Sequence, residues 1–361
     1  MIRPCFLLFP HSGMGENNSL RTDDFDYRLP SEFIAQTPAE PRDAARLMVL
    51  RRGERKLAHR RFRDLVSYLK SGDVLVLNDT RVLPARLQGK KETGGKVELL
   101  LLKRLAARTW EVIVGGSGLK VDARIVIAGG KLIATVLEEI GGSRRVVRFS
   151  RAVTQLMHGI GEIPLPPYIR TKLSDDERYQ TVYAAVKGSS AAPTAGLHFT
   201  PALLAEIRAL GVSVPTVTLH VGLDSFAPVT AEMIDDHPTH CEWCCMDEAT
   251  AGVINRAHRG GGRIVAVGTT TARVLETAAR AASGNRVAPV RGETDLYITP
   301  GYRFRAVDAL LTNFHLPRST LLMMVAAFCG TGGLARILDA YEHAMLAGYR
   351  FYSLGDAMLI M

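Results

Sequence analysis

Between Ala85 and about Ala152 the chain breaks into short β-type runs separated by glycine-rich turns: Thr93-Gly94-Gly95, Gly115-Gly116, Gly129-Gly130 and Gly141-Gly142. Trp110 to Val114, Arg124 to Ala128, Leu132 to Leu137 and Arg145 to Phe149 fall at hairpin spacing, the pattern of a small antiparallel barrel. On either side, apolar strands alternate with helical patterns. The expected fold is therefore α/β: a larger mixed α/β domain at 21–84 and 153–361, with an inserted small β-barrel domain at 85–152 that places the substrate. Residues 1–20 precede it as a leader, disordered or misassigned, because Ile2 to Pro10 is too short and proline-broken for a signal-peptide core. Met14 is an equally good start.

Several strands end in polar groups. Asp73 to Leu77 runs into Asn78-Asp79-Thr80-Arg81, at the strand end where α/β sheets bind ligands. Arg263 to Val267 runs through Gly268 into Thr269-Thr270-Thr271 and a helix from Ala272 to Ala282, a geometry that points free N–H groups at an anion. Leu310 to His315 puts Asn313 and His315 on one face, and an all-round apolar helix, Leu321 to Phe328, follows as a core element. In Val214 to Val221 the period-two pattern sets Val217, Leu219 and Val221 against Thr216, Thr218 and His220, so the polar face lines a cleft. His198 follows the tight Pro193-Thr194-Ala195-Gly196 loop, and Thr200-Pro201 caps a helix bearing Leu203, Leu204, Ile207 and Leu210. Each histidine could instead be a hydrogen-bonded structural residue.

The formal net charge of +9 points to a polyanion, with nucleic acid ahead of a membrane because no apolar run approaches a span. Arg51, Arg52, Arg55, Lys56, Arg60, Arg61 and Arg63 form the densest basic stretch, able to hold phosphates or simply to solvate a hairpin. Tyr168, at the tip of the stiff Gly161–Ile169 loop, could stack on a base, and Ser174 to Glu177 reads as the cap of a helix carrying Tyr179 and Tyr183. His237, His240, Cys241, Cys244 and Cys245 are zinc-type ligands, but so short a segment surrounds an ion poorly, and no metal is expected. The cysteines form no spaced disulfide framework, which places the protein in a reducing cytoplasm.

Taken together, Asp79 to Arg86, Pro164 to Ile169, Ala192 to Phe199, Thr218 to Gly222, Ala266 to Thr270, Thr312 to Pro317 and Gly355 to Met358 resemble the S-adenosylmethionine:tRNA ribosyltransferase-isomerase family of queuosine biosynthesis. Seven blocks in the same order are more specific than any single motif. The resemblance runs from about Asp24 to the C-terminus, departing at Asp224-Ser225-Phe226, where the family usually has Gly-Thr before Phe, and at the Cys241–Cys245 cluster. It implies transfer and isomerisation of the ribosyl part of S-adenosylmethionine onto 7-aminomethyl-7-deazaguanine in tRNA, giving epoxyqueuosine and releasing adenine and methionine. It also implies no metal or redox cofactor, S-adenosylmethionine being a substrate.

For such a reaction a base must take a proton from C5′, beside the sulfonium. His198 and His220 rank first, His315 third, with Asp79 as orienting or protonating partner. Thr269, Thr270 and Arg273 are candidates for the methionine carboxylate. Asn78 and Asn313 would bond ribose or base, with Thr80, Arg81, Thr194 and Gly196 completing the substrate set. Arg51, Arg52, Arg60, Arg61 and Tyr168 would meet RNA. The expected protein is a monomer with no membrane partner. Its rivals are a non-catalytic RNA-binding protein and a zinc hydrolase; a dinucleotide-binding dehydrogenase lacks its glycine turn.

Overall fold

The computed structural model describes residues 20–54, 56–222, 229–239, 241–284 and 286–361. The leader up to residue 19, Arg55, the Asp224-Ser225-Phe226 departure and His240 lie outside the described residues. The body begins with a hairpin, β1 (Arg46–Leu50) and β2 (Leu57–Arg61), followed by β3 (Val74–Asn78) and the short β4 (Thr80–Val82). The barrel strands come next: β5 (Arg86–Lys91), β6 (Lys96–Arg104), β7 (Thr109–Gly115), β8 (Arg124–Ile127), β9 (Leu132–Gly141) and β10 (Arg144–Phe149). A single helical turn α1 (Met157–Ile160) and β11 (Gly161–Glu162) lead back to the body, which resumes with β12 (Val186–Ser189), α2 (Pro201–Ala209), β13 (Thr216–Leu219) and β14 (Glu242–Met246). The remainder is α3 (Glu248–Arg259), β15 (Ile264–Val267), α4 (Thr269–Arg280), β16 (Val290–Thr294), β17 (Ala309–Asn313), α5 (Thr320–Phe328), α6 (Gly333–Leu346) and β18 (Ala357–Ile360).

Nine strands form the body sheet in the order β16-β14-β13-β3-β15-β17-β18-β1-β2. Its central strands β3, β15, β17 and β18 are buried throughout because both faces are covered. Val74 and Val76 point into one core with residues of α3, α4, α5 and α6, whereas Leu75 and Leu77 point into another with Phe62, Leu65 and the Leu203, Leu204 and Ile207 face of α2. The same alternation holds along β15, β17 and β18, as a pleat of period two requires. Leu210, expected on the buried face of α2, lies at the helix end and is half-exposed. Thr200 caps that helix as its sequence predicts, accepting from Leu203 N at 3.1 Å.

The inserted strands close in the order β5-β6-β7-β10-β9-β8, with β8 pairing back to β5 at Gly89↔Ile127. Every second residue fills the interior, from Leu87, Val97 and Leu99 to Trp110, Val136 and Phe149. Observed strands overrun the expected ones by a residue or more at several ends, β9 most of all, because its outer half extends past the core with exposed side chains. The helix expected after Asp175 is only a short 3-10 turn, Asp176–Tyr179, capped by Asp175 accepting from Glu177 N.

Among the described residues no single helix is long and apolar enough to cross a membrane. Helix α5 is apolar all round because it is core, with Leu322 to Phe328 buried. Elsewhere Glu276, wholly buried on α4, accepts hydrogen bonds from Arg305 N, Ala306 N, Val307 N and Tyr302 Oη, and so pins the loop that feeds β17.

Candidate active site

β13, β3, β15 and β17 run parallel, so their C-terminal ends gather at one edge of the sheet. This is where a crevice opens in α/β folds. Here the cavity holds roughly 1200 Å³ of unfilled space, solvent at its mouth included, which is large enough for a nucleoside-sized ligand. Gly268, with φ +90°, makes the turn from β15 into α4 that a side chain would strain. Gly268, Thr269 and Thr270 therefore line the cavity with the first turn of a helix, whose N–H groups lack intrahelical partners. The helix starts three residues earlier than its periodicity indicates, so the threonines lie inside it. Thr271 turns away and donates to Val267 O at 2.7 Å.

On the facing side Thr194 Oγ1 donates to Asn313 Oδ1 at 2.8 Å, and Asn313 Nδ2 donates to Tyr352 O at 3.3 Å. His315 sits at the cavity wall, 8% exposed, with Nε2 2.7 Å from Thr312 Oγ1. Its backbone is clamped, for N donates to Tyr341 Oη at 2.9 Å and O accepts from Tyr27 Oη. Burial pushes its pKa down to about 3, so the ring stays neutral. Nδ1 makes no hydrogen bond among the described residues and is the nitrogen open to a ligand.

Arg273 and Glu242 also line the cavity, but they are committed to each other. Arg273 donates further to Leu296 O and Thr294 O, and Glu242 accepts from Gly222 N at 2.7 Å. Tyr168 contributes its ring to the wall rather than to the surface. It packs on Tyr352 at 4.8 Å, its hydroxyl 2.6 Å from Ser353 Oγ, and burial raises its pKa to about 12.

The structure thus brings Thr194, Thr269, Thr270, Arg273, Asn313, His315 and Tyr168 around one space. Asn78 stands just behind it and ties its walls together. Its Nδ2 donates to Leu219 O and Thr270 Oγ1, both at 3.1 Å, while Oδ1 accepts from Thr80 N and Leu219 N. Replacing Asn78 by alanine leaves these buried groups unpaired, with an expected loss of about 1–3 kcal/mol that urea denaturation would measure.

Other expected site residues lie outside that lining. His198 is buried on Phe62, with ring centroids 4.9 Å apart, and its nitrogens face Gly355 O at 2.9 Å and Ala195 O at 3.2 Å. Burial lowers its pKa, the two carbonyls opposing that shift. Gly196 is buried in the same turn, where a Cβ would stand 2.1 Å from Tyr183 Oη. His220, Thr80, Asp79 and Thr218 form a separate polar group on the far face of β13. Thr80 Oγ1 is 2.8 Å from His220 Nδ1, and Thr218 Oγ1 donates to Asp79 Oδ1 at 2.6 Å. The His220 ring lies between Trp243, stacked at 5.0 Å, and Gly188, where any Cβ would fall 2.4 Å from Nε2. Arg81 is ion-paired with Glu177 at the surface.

The basic stretch is divided by strand direction. Arg61 pairs in register with Arg46, at the cavity end of the sheet, and Arg60 precedes it. Arg51 and Arg52 follow the opposite end of β1, where Arg52 bonds Asp308 O and lies over Phe328. The zinc-type cluster divides too. Adjacent Cys244 and Cys245 point to opposite faces of β14, and burial raises the Cys244 thiol to about 11. Among the described residues no group of three or more His, Cys, Asp or Glu side chains could hold a metal ion.

The queuosine biosynthesis protein family matches residues 22–360. The chain belongs to this family. Relatives named S-adenosylmethionine:tRNA ribosyltransferase-isomerase include those of Acetivibrio thermocellus, 51% identical, and Staphylococcus haemolyticus, 48% identical. The alignments cover 94% and 95% of this chain and all of each relative. The crystal structure of S-adenosylmethionine tRNA ribosyltransferase from Thermotoga maritima is similar over 94% of this chain and all of that one. Its TM-score is 0.55 at 39% identity. Within this family fold, sequence reasoning did not assign Glu242, Tyr297 or Ser319 to the site, and weighed His237 only as a zinc ligand; all four line the cavity. For Glu242 the signal was present, since the Glu242, Cys244, Met246 alternation marks one inward face.

Proposed function

We infer that this cavity holds S-adenosylmethionine while its ribosyl part is transferred to tRNA and isomerised. The chain is an S-adenosylmethionine:tRNA ribosyltransferase-isomerase of the queuosine biosynthesis family. The acceptor is 7-aminomethyl-7-deazaguanine in tRNA, the product epoxyqueuosine, and the released groups adenine and methionine. The observation that carries the placement is the convergence of the α4 N-terminus, Asn313 and a neutral imidazole on one largely apolar space.

The methionine carboxylate suits the first turn of α4, where N–H groups and the Thr269 and Thr270 hydroxyls favour an anion. Arg273, held by Glu242, shapes that wall. Asn313 and Thr194 present an amide and a hydroxyl to ribose or base. C5′ is acidified by the adjacent sulfonium, and His315 Nδ1 takes its proton. That role needs the tautomer in which Nε2–H donates to Thr312 Oγ1 and Nδ1 keeps its lone pair. A buried imidazole is always available but weakly basic, so the step relies on the sulfonium's pull and on the bound carboxylate to stabilise the imidazolium. Adenine loss, amine attachment, ring closure and methionine release follow.

The reaction as written needs no redox or metal cofactor. The protein is read as a monomer, and its free cysteines fit the cytoplasm. Incubating purified protein with S-adenosylmethionine and tRNA carrying the deazaguanine should release adenine only when both are present. Tight tRNA binding with no adenine from either substrate would mark a non-catalytic RNA-binding protein instead.

A further inference from the structure

Residues 85–152 contain fourteen Lys and Arg against six Asp and Glu, so the insertion, under a fifth of the chain, carries eight of its nine net positive charges. Those charges are unevenly placed. Antiparallel strands alternate direction, so the 105–108 and 128–131 connections share one barrel end with the chain's entry at Ala85 and exit at Ser150. That end adjoins the body. Lys103 there pairs with Glu293 of β16 at 3.2 Å. It bears Lys103, Arg104, Arg108, Lys131, Arg148 and Arg151, all exposed, and the segments 103–110, 128–133 and 147–152 contain no acidic residue.

At the opposite end the cations are interleaved with acids. Arg124 pairs with Glu92 and Arg145 with Glu139. Near the body, by contrast, Arg104, Arg108, Lys131, Arg148 and Arg151 make no ion pair among the described residues. Arg108 and Arg104 reach only backbone carbonyls, Ser150 O and Ala106 O, both at 3.2 Å. A cluster of like charges without counterions is electrostatically unfavourable unless a polyanion joins it.

We propose that this body-facing rim of the barrel holds the phosphodiester backbone of the tRNA substrate, an inference that rests on the functional reading above. Four of its six cations are arginines, whose planar guanidinium suits phosphate oxygens. The rim also adjoins the strands whose other face walls the cavity. Glu293, the partner of Lys103, lies in register with Trp243, and the Arg291 guanidinium stands 5.8 Å from the Trp243 ring centroid. Trp243 follows Glu242, which together with Val221 lines the cavity from β14 and the end of β13. A backbone seated on the rim therefore approaches the outer face of the strand pair whose inner face walls the cavity.

The test is tRNA affinity across a potassium chloride series for the full-length wild type and two triple variants. One is Arg104→Glu/Arg108→Glu/Arg148→Glu on the rim; the other is Lys90→Glu/Lys96→Glu/Lys120→Glu at the far end. The rim variant should bind tRNA at least about tenfold more weakly at low salt. Its log affinity against log salt should be shallower by about two to three, since each lost phosphate contact removes roughly 0.7–0.9 from the slope. S-adenosylmethionine affinity should be unchanged. The far-end variant should keep the wild-type slope. Equal slopes for rim variant and wild type, or equal losses in both variants, would overturn the proposal. If the rim variant also loses S-adenosylmethionine binding through misfolding, the milder Arg104→Gln/Arg108→Gln pair takes its place with a slope change of one to two expected, and an unchanged slope overturns the proposal. A wild type that releases no adenine with tRNA would sink the activity reading, whereas an active wild type with an indifferent rim sinks only the surface.

Discussion

His315→Ala is expected to lower adenine release by about 10²–10⁴-fold, the range over which a positioned acid or base acts. Tyr341 Oη and Tyr27 Oη bond the backbone of residue 315, not its side chain, so the turn after β17 should survive the change. S-adenosylmethionine affinity should fall far less than turnover. The pH profile gives a second readout. Burial holds the folded pKa at about 3, so no acid limb from this group should appear near the ordinary histidine value of about 6.5. Stability has the opposite sensitivity. The unfolded chain takes up this proton below about 6.5 while the folded chain resists it down to about 3, so the contribution present above pH 6.5 is lost as pH falls through that window. The alanine variant should lose less stability between those limits. Near-normal turnover in His315→Ala would move the proton to another group on the lining, His237 first, since it is the other imidazole there.

The largest expected stability effect is remote from the chemistry. Glu276→Ala removes the acceptor shared by Arg305 N, Ala306 N and Val307 N, two of them on buried residues, and by Tyr302 Oη. Each buried donor left without a partner costs about 1–3 kcal/mol, so the variant should lose about 3–5 kcal/mol in urea denaturation. Glu276→Gln keeps one carbonyl acceptor and should recover part of that. A loss below about 1 kcal/mol would mean that solvent or a shifted loop satisfies these groups.

Much of the architecture was legible because burial leaves a periodic trace. The strand read over Arg263 to Val267 is β15 to within one residue, and the barrel followed from glycine pairs between alternating strands. Thr269, Thr270 and Asn313 were legible as site candidates because the ends of apolar strands are places of limited use. The histidines were not separable in this way. His198 and His315 each follow a polar-to-apolar transition, but what distinguishes them is contact with Phe62 and Gly355 in one case and with Tyr27 and Tyr341 in the other, all remote in sequence. Tyr168 looked like an exposed tip until Ser353, 185 residues on, accounted for its hydroxyl. The basic stretch around β1 and β2 looked continuous in sequence. An antiparallel hairpin instead sends Arg61 and Arg51 to opposite ends of the sheet.

The most direct measurement is a crystal structure of the protein with S-adenosylmethionine or the unreactive S-adenosylhomocysteine. The ligand should lie among Thr194, Thr269, Asn313 and His315, its carboxylate at the first turn of α4 and its C5′ within about 3–3.5 Å of His315 Nδ1. A ligand bound instead beside His220 and Trp243, across β13 from the cavity, would contradict the account.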